Sequence, residues 1–396
     1  TGALSFLLLG FCAGLTAGFA VKTAQRFGAG DENGMRESFA AGFLLTAAFT
    51  VVLTAVSVPA VGGILRLIQT PVEIYDDATV YIVIVFAGLA ASMFFNFFSN
   101  IIRALGDSRT PLVVLAAACV INVVLDFVLI LYAHMGVAGA AVATVFSQAV
   151  AAVVCLIHIF IRLPFLRLKR TDWRVDRSVL KQHLFLGFPM GFQMSIIAIG
   201  QIVLQFALNQ LGAVSVAAYA AAQKIDSLAV QPMMSFGITM ATYAAQNYGA
   251  QKMQRIRSGV NQCIAVSVGF SFLIAAVNIF AGKPLTELFV GAGETEVIRL
   301  SWVYLVSNGI FYFLLALLFI YRSTLQGLGD GVTTTVAGVM ELFMRIVAAL
   351  VMAEIFGFLG ASLSNPMAWA GALIPLMFSY YRKIRRLTAV SADGRL

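Results

Sequence analysis

The side chains of this sequence that could do chemistry are a few polar and ionisable residues set inside long apolar runs. Asn122 and Asp126 stand four apart in the run 111–132, on one face if that run is helical. A carboxylate beside an amide carbonyl offers hard oxygen ligands that Na+ or a proton could use; the competing reading is a structural acid hydrogen-bonded between helices. Glu341 and Arg345 have the same spacing, in the order that favours an intrahelical ion pair. Two readings stay open for them: a self-neutralised pair that makes the helix insertable, or a substrate or proton site. Lys224 and Asp226 are two apart and cannot face each other, so each needs another partner. Asp226 could attract a cationic substrate. Lys224 could hold a carboxylate from a neighbouring helix, such as Glu341, and release it on protonation, or it could belong to a fixed buried network. Gln193, Gln201, Gln205 and Asn209, with Ile197 completing a spacing of four, form a polar stripe. It suits either a tolerant binding surface or interhelical packing.

The remaining reactive residue types offer less. The sequence holds no His-Glu-x-x-His, Gly-x-Ser-x-Gly or Walker A pattern and no clustered metal ligands, so neither an enzyme nor ATP-driven transport is indicated. No cofactor or metal is called for beyond a possible Na+ at Asp126 or H+ as a coupling ion. Cys12, Cys119, Cys155 and Cys263 all lie in apolar segments without pairing spacing and read as small packed hydrophobes. His134 and His158 receive no role. Pro189, Pro232 and Pro366 are candidate helix kinks.

The elements that must position these groups are membrane spans. Hydrophobic residues make up 60% and charged residues 11% of the chain, a balance that a soluble protein of this size could not solvate. Eleven apolar runs emerge: 4–21, 39–64, 78–102, 111–132, 137–161, 183–208, 214–246, 259–281, 299–321, 333–353 and 357–380. They are too long and too continuously apolar for barrel strands, so each is expected to be a helix. The net charge of +8 has no basic face interleaved with aromatics and does not point to nucleic acid. Instead, alternate loops and the tail carry 21 of the 26 Lys and Arg residues, with Arg322 counted in a loop. That side is expected to be cytoplasmic, and the C-terminus with it. Trp173 and the basic stretch 162–181 read as a connection touching anionic headgroups.

The chain also repeats itself. Residues 24–29 (AQRFGA) return at 245–250 (AQNYGA), displaced by 221. Leu105-Gly106-Asp107 returns as Leu328-Gly329-Asp330, displaced by 223, and 136–140 (GVAGA) as 357–361 (GFLGA), again by 221. Three matches at nearly one displacement, spanning an even number of helices, indicate parallel repeats. The second copy begins near residue 183 with six helices, whereas the first shows five. One N-terminal helix is therefore expected to precede Thr1, for twelve in all. The expected architecture is an all-α polytopic membrane protein of two pseudo-symmetric six-helix lobes. The lobes are 1–161 and 183–381, joined by a cytoplasmic connection at 162–182, with a cytoplasmic tail at 382–396.

Ala-Gln-x-x-Gly-Ala closing one helix of each lobe resembles the MATE (multidrug and toxic compound extrusion) family. So do 103–107 (RALGD) with 326–330 (QGLGD), Asn122-x-x-x-Asp126, and the Gly-Val-Ala-Gly-Ala run. The resemblance covers nearly the whole chain. It implies two lobes around a central cleft that opens alternately to either side, with small amphiphilic, often cationic, substrates exported against Na+ or H+ entry. It also implies that Asn122 and Asp126 share a cation-coupling site with Thr144 on the next helix and with an Asp on the first helix of the lobe, the one expected to precede Thr1. The implied protein is a monomer in the plasma (inner) membrane, with the lipid bilayer and its substrates as partners and no nucleic acid. The alternative within the wider superfamily is a lipid-linked oligosaccharide flippase, which would require a markedly cationic cavity. A channel is a third class, without a filter-like motif to support it.

Overall fold

The computed structural model describes residues 2–67, 70–291 and 293–392, and side chains from residue 5 to residue 388 within these stretches. Residues 393–396 of the expected tail, Arg395 among them, lie outside the described residues. The described chain is helical and has no strand. In order, the helices are α1 (Gly2–Gly28), α2 (Glu32–Leu67), α3 (Val72–Ala87), α4 (Leu89–Ala104), α5 (Arg109–Phe127) and α6 (Gly136–Arg162). They continue with α7 (Arg177–Gln210), α8 (Ala213–Gly249), α9 (Met253–Val290), α10 (Thr295–Gly309), α11 (Tyr312–Gly327) and α12 (Gly331–Val347). The short α13 (Ala353–Phe356) and α14 (Phe358–Ser362) lead into α15 (Ser364–Ala392).

All eleven apolar runs fall on these helices, because backbone placed in a bilayer must satisfy its own hydrogen bonds. Among the described residues, seven helices are long and apolar enough to cross a membrane, and two bent pairs raise the number to nine. The other two long helices are more polar. Gln223, Lys224, Asp226 and Gln231 interrupt the middle of α8, and the basic stretch from Arg382 follows the apolar part of α15.

The two bends, 46° between α3 and α4 and 49° between α10 and α11, do not lie at prolines. The first sits at Gly88, where an added Cβ would collide with Val145 on α6. At the second, the fully buried Asn308 donates from Nδ2 to Tyr304 O at 3.0 Å and to Ser362 O at 3.2 Å, supplying partners where the ladder is interrupted. By contrast, α7 and α8 run on through Pro189 and Pro232, and Pro366 falls in the first turn of α15, where a missing N–H costs nothing.

The repeated motifs are helix ends. The first closes α1 at Gly28 and α8 at Gly249, each followed by a left-handed residue, Gly30 (φ 69°) and Gln251 (φ 58°). In the second, Gly106 (φ 96°) and Gly329 (φ 80°) take a left-handed turn that only glycine adopts cheaply. The Asp that follows then caps the next helix. Asp107 accepts from Thr110 N at 3.0 Å and Thr110 Oγ1 at 2.6 Å, and Asp330 accepts from Thr333 N and Thr333 Oγ1, both at 3.0 Å. Each capped helix, α5 and α12, ends in a π-helical turn, Val128–Tyr132 and Ala348–Met352. At these two motifs the sequence repeat is also a structural repeat.

The chain separates into two compact units, Thr1–Met194 and Ser195–Leu396, with the boundary inside α7. In the first, Gly10, Gly14 and Gly18 of α1 lie against the N-terminal part of α7, which presents Gly187 and Gly191. A Cβ at Gly14 would strike the backbone of Met190 and Gly191, and one at Gly18 the backbone of Gly187. Small residues at spacing four permit this backbone approach, which in lipid replaces hydrophobic association as the source of packing energy. The connecting stretch is also tied down. Arg36 reaches Asp172 at 3.4 Å, and Trp173, 43% exposed, meets the Phe43 ring edge-on at 5.6 Å. In the second unit, α11 packs on α8, α9 and α15, around Met233, Tyr312, Ile320 and Leu325.

Candidate functional site

Helix α5 carries Asn122 and Asp126 in its C-terminal half, just before the π turn. Both residues are half-buried, yet Asn122 Nδ2 and Asp126 Oδ1 are fully enclosed atoms with no hydrogen-bond partner among the described residues. Leaving a buried polar atom unmatched costs about 1–3 kcal/mol, and more for a charged group. The amide is isosteric about its flip, so Asn122 can present its oxygen in place of its nitrogen. Thr144 lies on α6, which packs along α5. Its hydroxyl donates to Ala140 O at 3.0 Å, which commits its proton and leaves its oxygen lone pairs able to accept or coordinate. No direct hydrogen bond joins Thr144 to Asn122 or Asp126 in the conformation described.

The second unit arranges its polar residues differently. Glu341 is the centre of a buried triad: Arg322 Nη2 donates to Oε2 at 2.6 Å and Arg345 Nη2 to Oε1 at 3.0 Å. Exposures of 1% for Arg322, 4% for Glu341 and 5% for Arg345 place the whole triad out of solvent. The i,i+4 pair expected from sequence is therefore present, but it is half of a larger set. Arg322, counted above as a loop cation, is a fully buried residue of α11, one turn before the helix ends at Gly327. The misplacement arose because the apolar run ends where the helix does not.

Lys224 does not hold Glu341. It is exposed, with Nζ 5.6 Å from the centroid of the Phe289 ring, a cation–π contact. Asp226 is buried and accepts a hydrogen bond from the Tyr312 hydroxyl, which itself accepts from Asn278 Nδ2 at 3.1 Å. Because the Asn278 amide nitrogen can only donate, the direction of the chain is set, and it ends on the carboxylate. Tyr219 and Tyr304 stack edge-on at 5.4 Å nearby, and Asn365 Nδ2 donates to Tyr304 Oη at 2.9 Å. The glutamine stripe divides: Gln201 is exposed, Gln205 donates to Asn209 Oδ1 at 2.9 Å, and Gln193 is half-buried. It does not form one continuous buried face.

One polar cluster has no counterpart in the expectations drawn from sequence. His183, on α7, is 1% exposed; its Nδ1 lies 2.8 Å from Val179 O and its Nε2 2.9 Å from Ser38 Oγ, which is 2.9 Å from Thr23 Oγ1. The carbonyl requires Nδ1 to carry the proton, so Nε2 accepts from Ser38 and Ser38 from Thr23. Its sequence signal was faint: three polar residues far apart in the chain, each at the edge of an apolar run.

Comparison with known proteins decides the family. The MatE family model matches residues 1–128 and 189–351. The chain belongs to the MATE family. It is similar to the probable multidrug resistance protein YoeA of Bacillus subtilis, 27% identical over 395 residues, covering 96% of this chain and 83% of the relative. YpnP of the same organism, also a probable multidrug resistance protein, is 29% identical over 331 residues, covering 81% and 72%. Among solved structures, an outward-facing multidrug resistance MATE family transporter of the MOP superfamily superposes with a TM-score of 0.91 at 20% identity, over 97% of this chain and 86% of that one. A MOP superfamily transporter from Pyrococcus furiosus gives 0.90 at 20% identity, over 97% and 86%. The chain is thus a multi-pass membrane transporter of the MATE fold and not an enzyme.

Proposed function

We propose that this MATE-family chain is an antiporter that exports small amphiphilic, often cationic, compounds by alternating access, driven by the entry of Na+ or H+. The names carried by its relatives support drug efflux. The observation that carries the coupling is the enclosed, unpartnered pair Asn122 and Asp126 inside an apolar helix. Binding Na+ or a proton would give the enclosed Asp126 oxygen the partner it lacks. Asn122 and Thr144 would complete the oxygen set. Occupation of the site then changes how α5 packs on α6, and the π turn beside it is a place where helices yield. On the substrate side, Gln201 and Lys224 are reachable. Gln193 and Gln205 are half-buried and Asp226 is buried, whereas Glu341 and Arg345 are held by their own triad.

The lobes would be 1–161 and 183–381 with a cytoplasmic connection and tail, the protein working as a monomer in the plasma membrane. A flippase for lipid-linked oligosaccharides would need free cationic side chains, and the two buried arginines here are already shared by Glu341. The test is Asp126→Asn in proteoliposomes. Gradient-driven export should fall to the protein-free background while size-exclusion behaviour and insertion stay unchanged; export at the wild-type rate would remove Asp126 from the mechanism.

A further inference from the structure

The two units can be compared position by position, because Asp107 and Asp330 cap α5 and α12 in the same way, with Thr110 and Thr333 in the same place. At the displacement of 223 that these caps define, Arg345 stands where Asn122 does, Ala349 where Asp126 does, Glu341 at Ala118 and Arg322 at Ser99. The first unit therefore has an enclosed acid–amide pair lacking partners. At the equivalent level the second has a guanidinium, bound to an acid one turn earlier on the same helix.

We propose that Arg345 is a tethered cation: in the second copy of the repeat its guanidinium, bound to Glu341 one turn nearer the start of the helix, serves the role that the exchangeable coupling ion serves between Asn122 and Asp126 in the first. This rests on the reading of Asn122 and Asp126 as the coupling site. Three further features fit. The Asp126 equivalent is Ala349, wholly buried, so no second acid awaits an ion there. Glu341 supplies the carboxylate instead, and its two oxygens are both taken by arginines, Arg322 on one and Arg345 on the other. Room for the guanidinium is provided by Gly200 on α7: a Cβ there would stand 2.7 Å from Arg345 Cδ and 2.9 Å from Nη1. A covalently attached cation cannot leave, so the second unit is held permanently in the cation-filled arrangement. The chain then carries one exchangeable cation site and not two, and the first unit alone is remodelled by the ion.

The test replaces the tether. Arg345→Ala should lower gradient-driven export at least tenfold, and added guanidinium should restore it, whereas urea, of the same shape but neutral, should not. Equal restoration by urea, no restoration in a folded variant, or wild-type export without any addition would overturn the proposal. Arg345→Lys keeps the charge and should keep more export than the alanine variant. If the alanine variant does not fold, the count of cations on unaltered protein decides. Equilibrium binding of radiolabelled Na+, or proton uptake in Na+-free buffer taken as the difference between the unaltered protein and each variant, should give one cation per chain that is lost in Asp126→Asn and none that is lost in Glu341→Gln. A second cation that survives in Asp126→Asn and disappears in Glu341→Gln would overturn the tether. No cation bound by either measure would instead remove the coupling reading beneath it.

Discussion

Glu341→Gln is the substitution whose cost the structure defines most sharply. Glu341 accepts two charge-assisted hydrogen bonds, at 2.6 and 3.0 Å, and all three members of the triad are at least 95% buried. Glutamine keeps the shape and one acceptor but removes the only charge that both arginines contact. Breaking a buried ion pair by neutralising one partner costs about 3–5 kcal/mol, because the remaining charge stays desolvated. Here two guanidiniums are stranded together, so the upper part of that range applies. For a unit of this size each kcal/mol lowers the melting midpoint by about 2–4 °C, which gives a drop of roughly 10 °C or more. The assay is thermal unfolding of purified protein in detergent, followed by size-exclusion recovery. The reasoning also predicts that replacing the whole triad, Arg322→Met with Glu341→Leu and Arg345→Met, restores a midpoint near that of the wild type, since no charge is left to desolvate. A single variant within about 1 °C of wild type, or a triple variant worse than the single, would refute the account of the triad as a buried set held together by the Glu341 charge.

Three further outcomes are expected. Gly14→Leu should destabilise by about 1–3 kcal/mol and reduce export, because its side chain would enter the backbone contact between α1 and α7; Gly30→Leu, where an added side chain meets nothing within 4 Å but the backbone is left-handed (φ 69°), should have a smaller effect on export. Asp107→Ala should cost about 1 kcal/mol through the lost helix cap, whereas Asp107→Asn keeps an acceptor there and should cost less. Burial works to raise the Asp107 carboxyl, but hydrogen bonds from Thr110 and Arg109, together with His158 at 3.5 Å, outweigh it and hold the group below the ordinary carboxylate range. Its contribution is therefore present above the unfolded carboxylate range and lost as pH falls through the depressed one. Wild type should lose stability there and Asp107→Asn should not, in melting curves recorded across acid pH. Ser38→Ala should cost about 1–3 kcal/mol by leaving Nε2 of the buried His183 without a donor, and the double variant Ser38→Ala with His183→Leu should recover part of that loss.

Much of the fold was legible because the bilayer demands it: long apolar runs must be helices, and the motif repeats mark helix ends. What was not legible depends on where helices stop and which neighbours they meet. The run 299–321 reads as one span, whereas Asn308 and the turn after Gly309 divide it, and the helix then extends past the run to bury Arg322. Hydropathy places an arginine beyond an apolar run in a loop; only its partner, Glu341 on another helix, makes burial tolerable. Lys224 was offered the same partner and instead lies over Phe289, because two arginines already occupy the carboxylate. The Asn122–Asp126 spacing was readable from sequence alone, but the absence of partners for their enclosed atoms was not. The spacing of Gly10, Gly14 and Gly18 was in view throughout. It gained meaning only from Gly187 and Gly191 on the opposing helix.

The most direct test of the transport reading is efflux of a fluorescent cationic dye from proteoliposomes of the purified protein, with an inward-directed Na+ or H+ gradient imposed in turn. The account predicts extrusion under one of the two gradients, abolished when that gradient is collapsed. Folded, inserted protein that extrudes nothing under either gradient would contradict it.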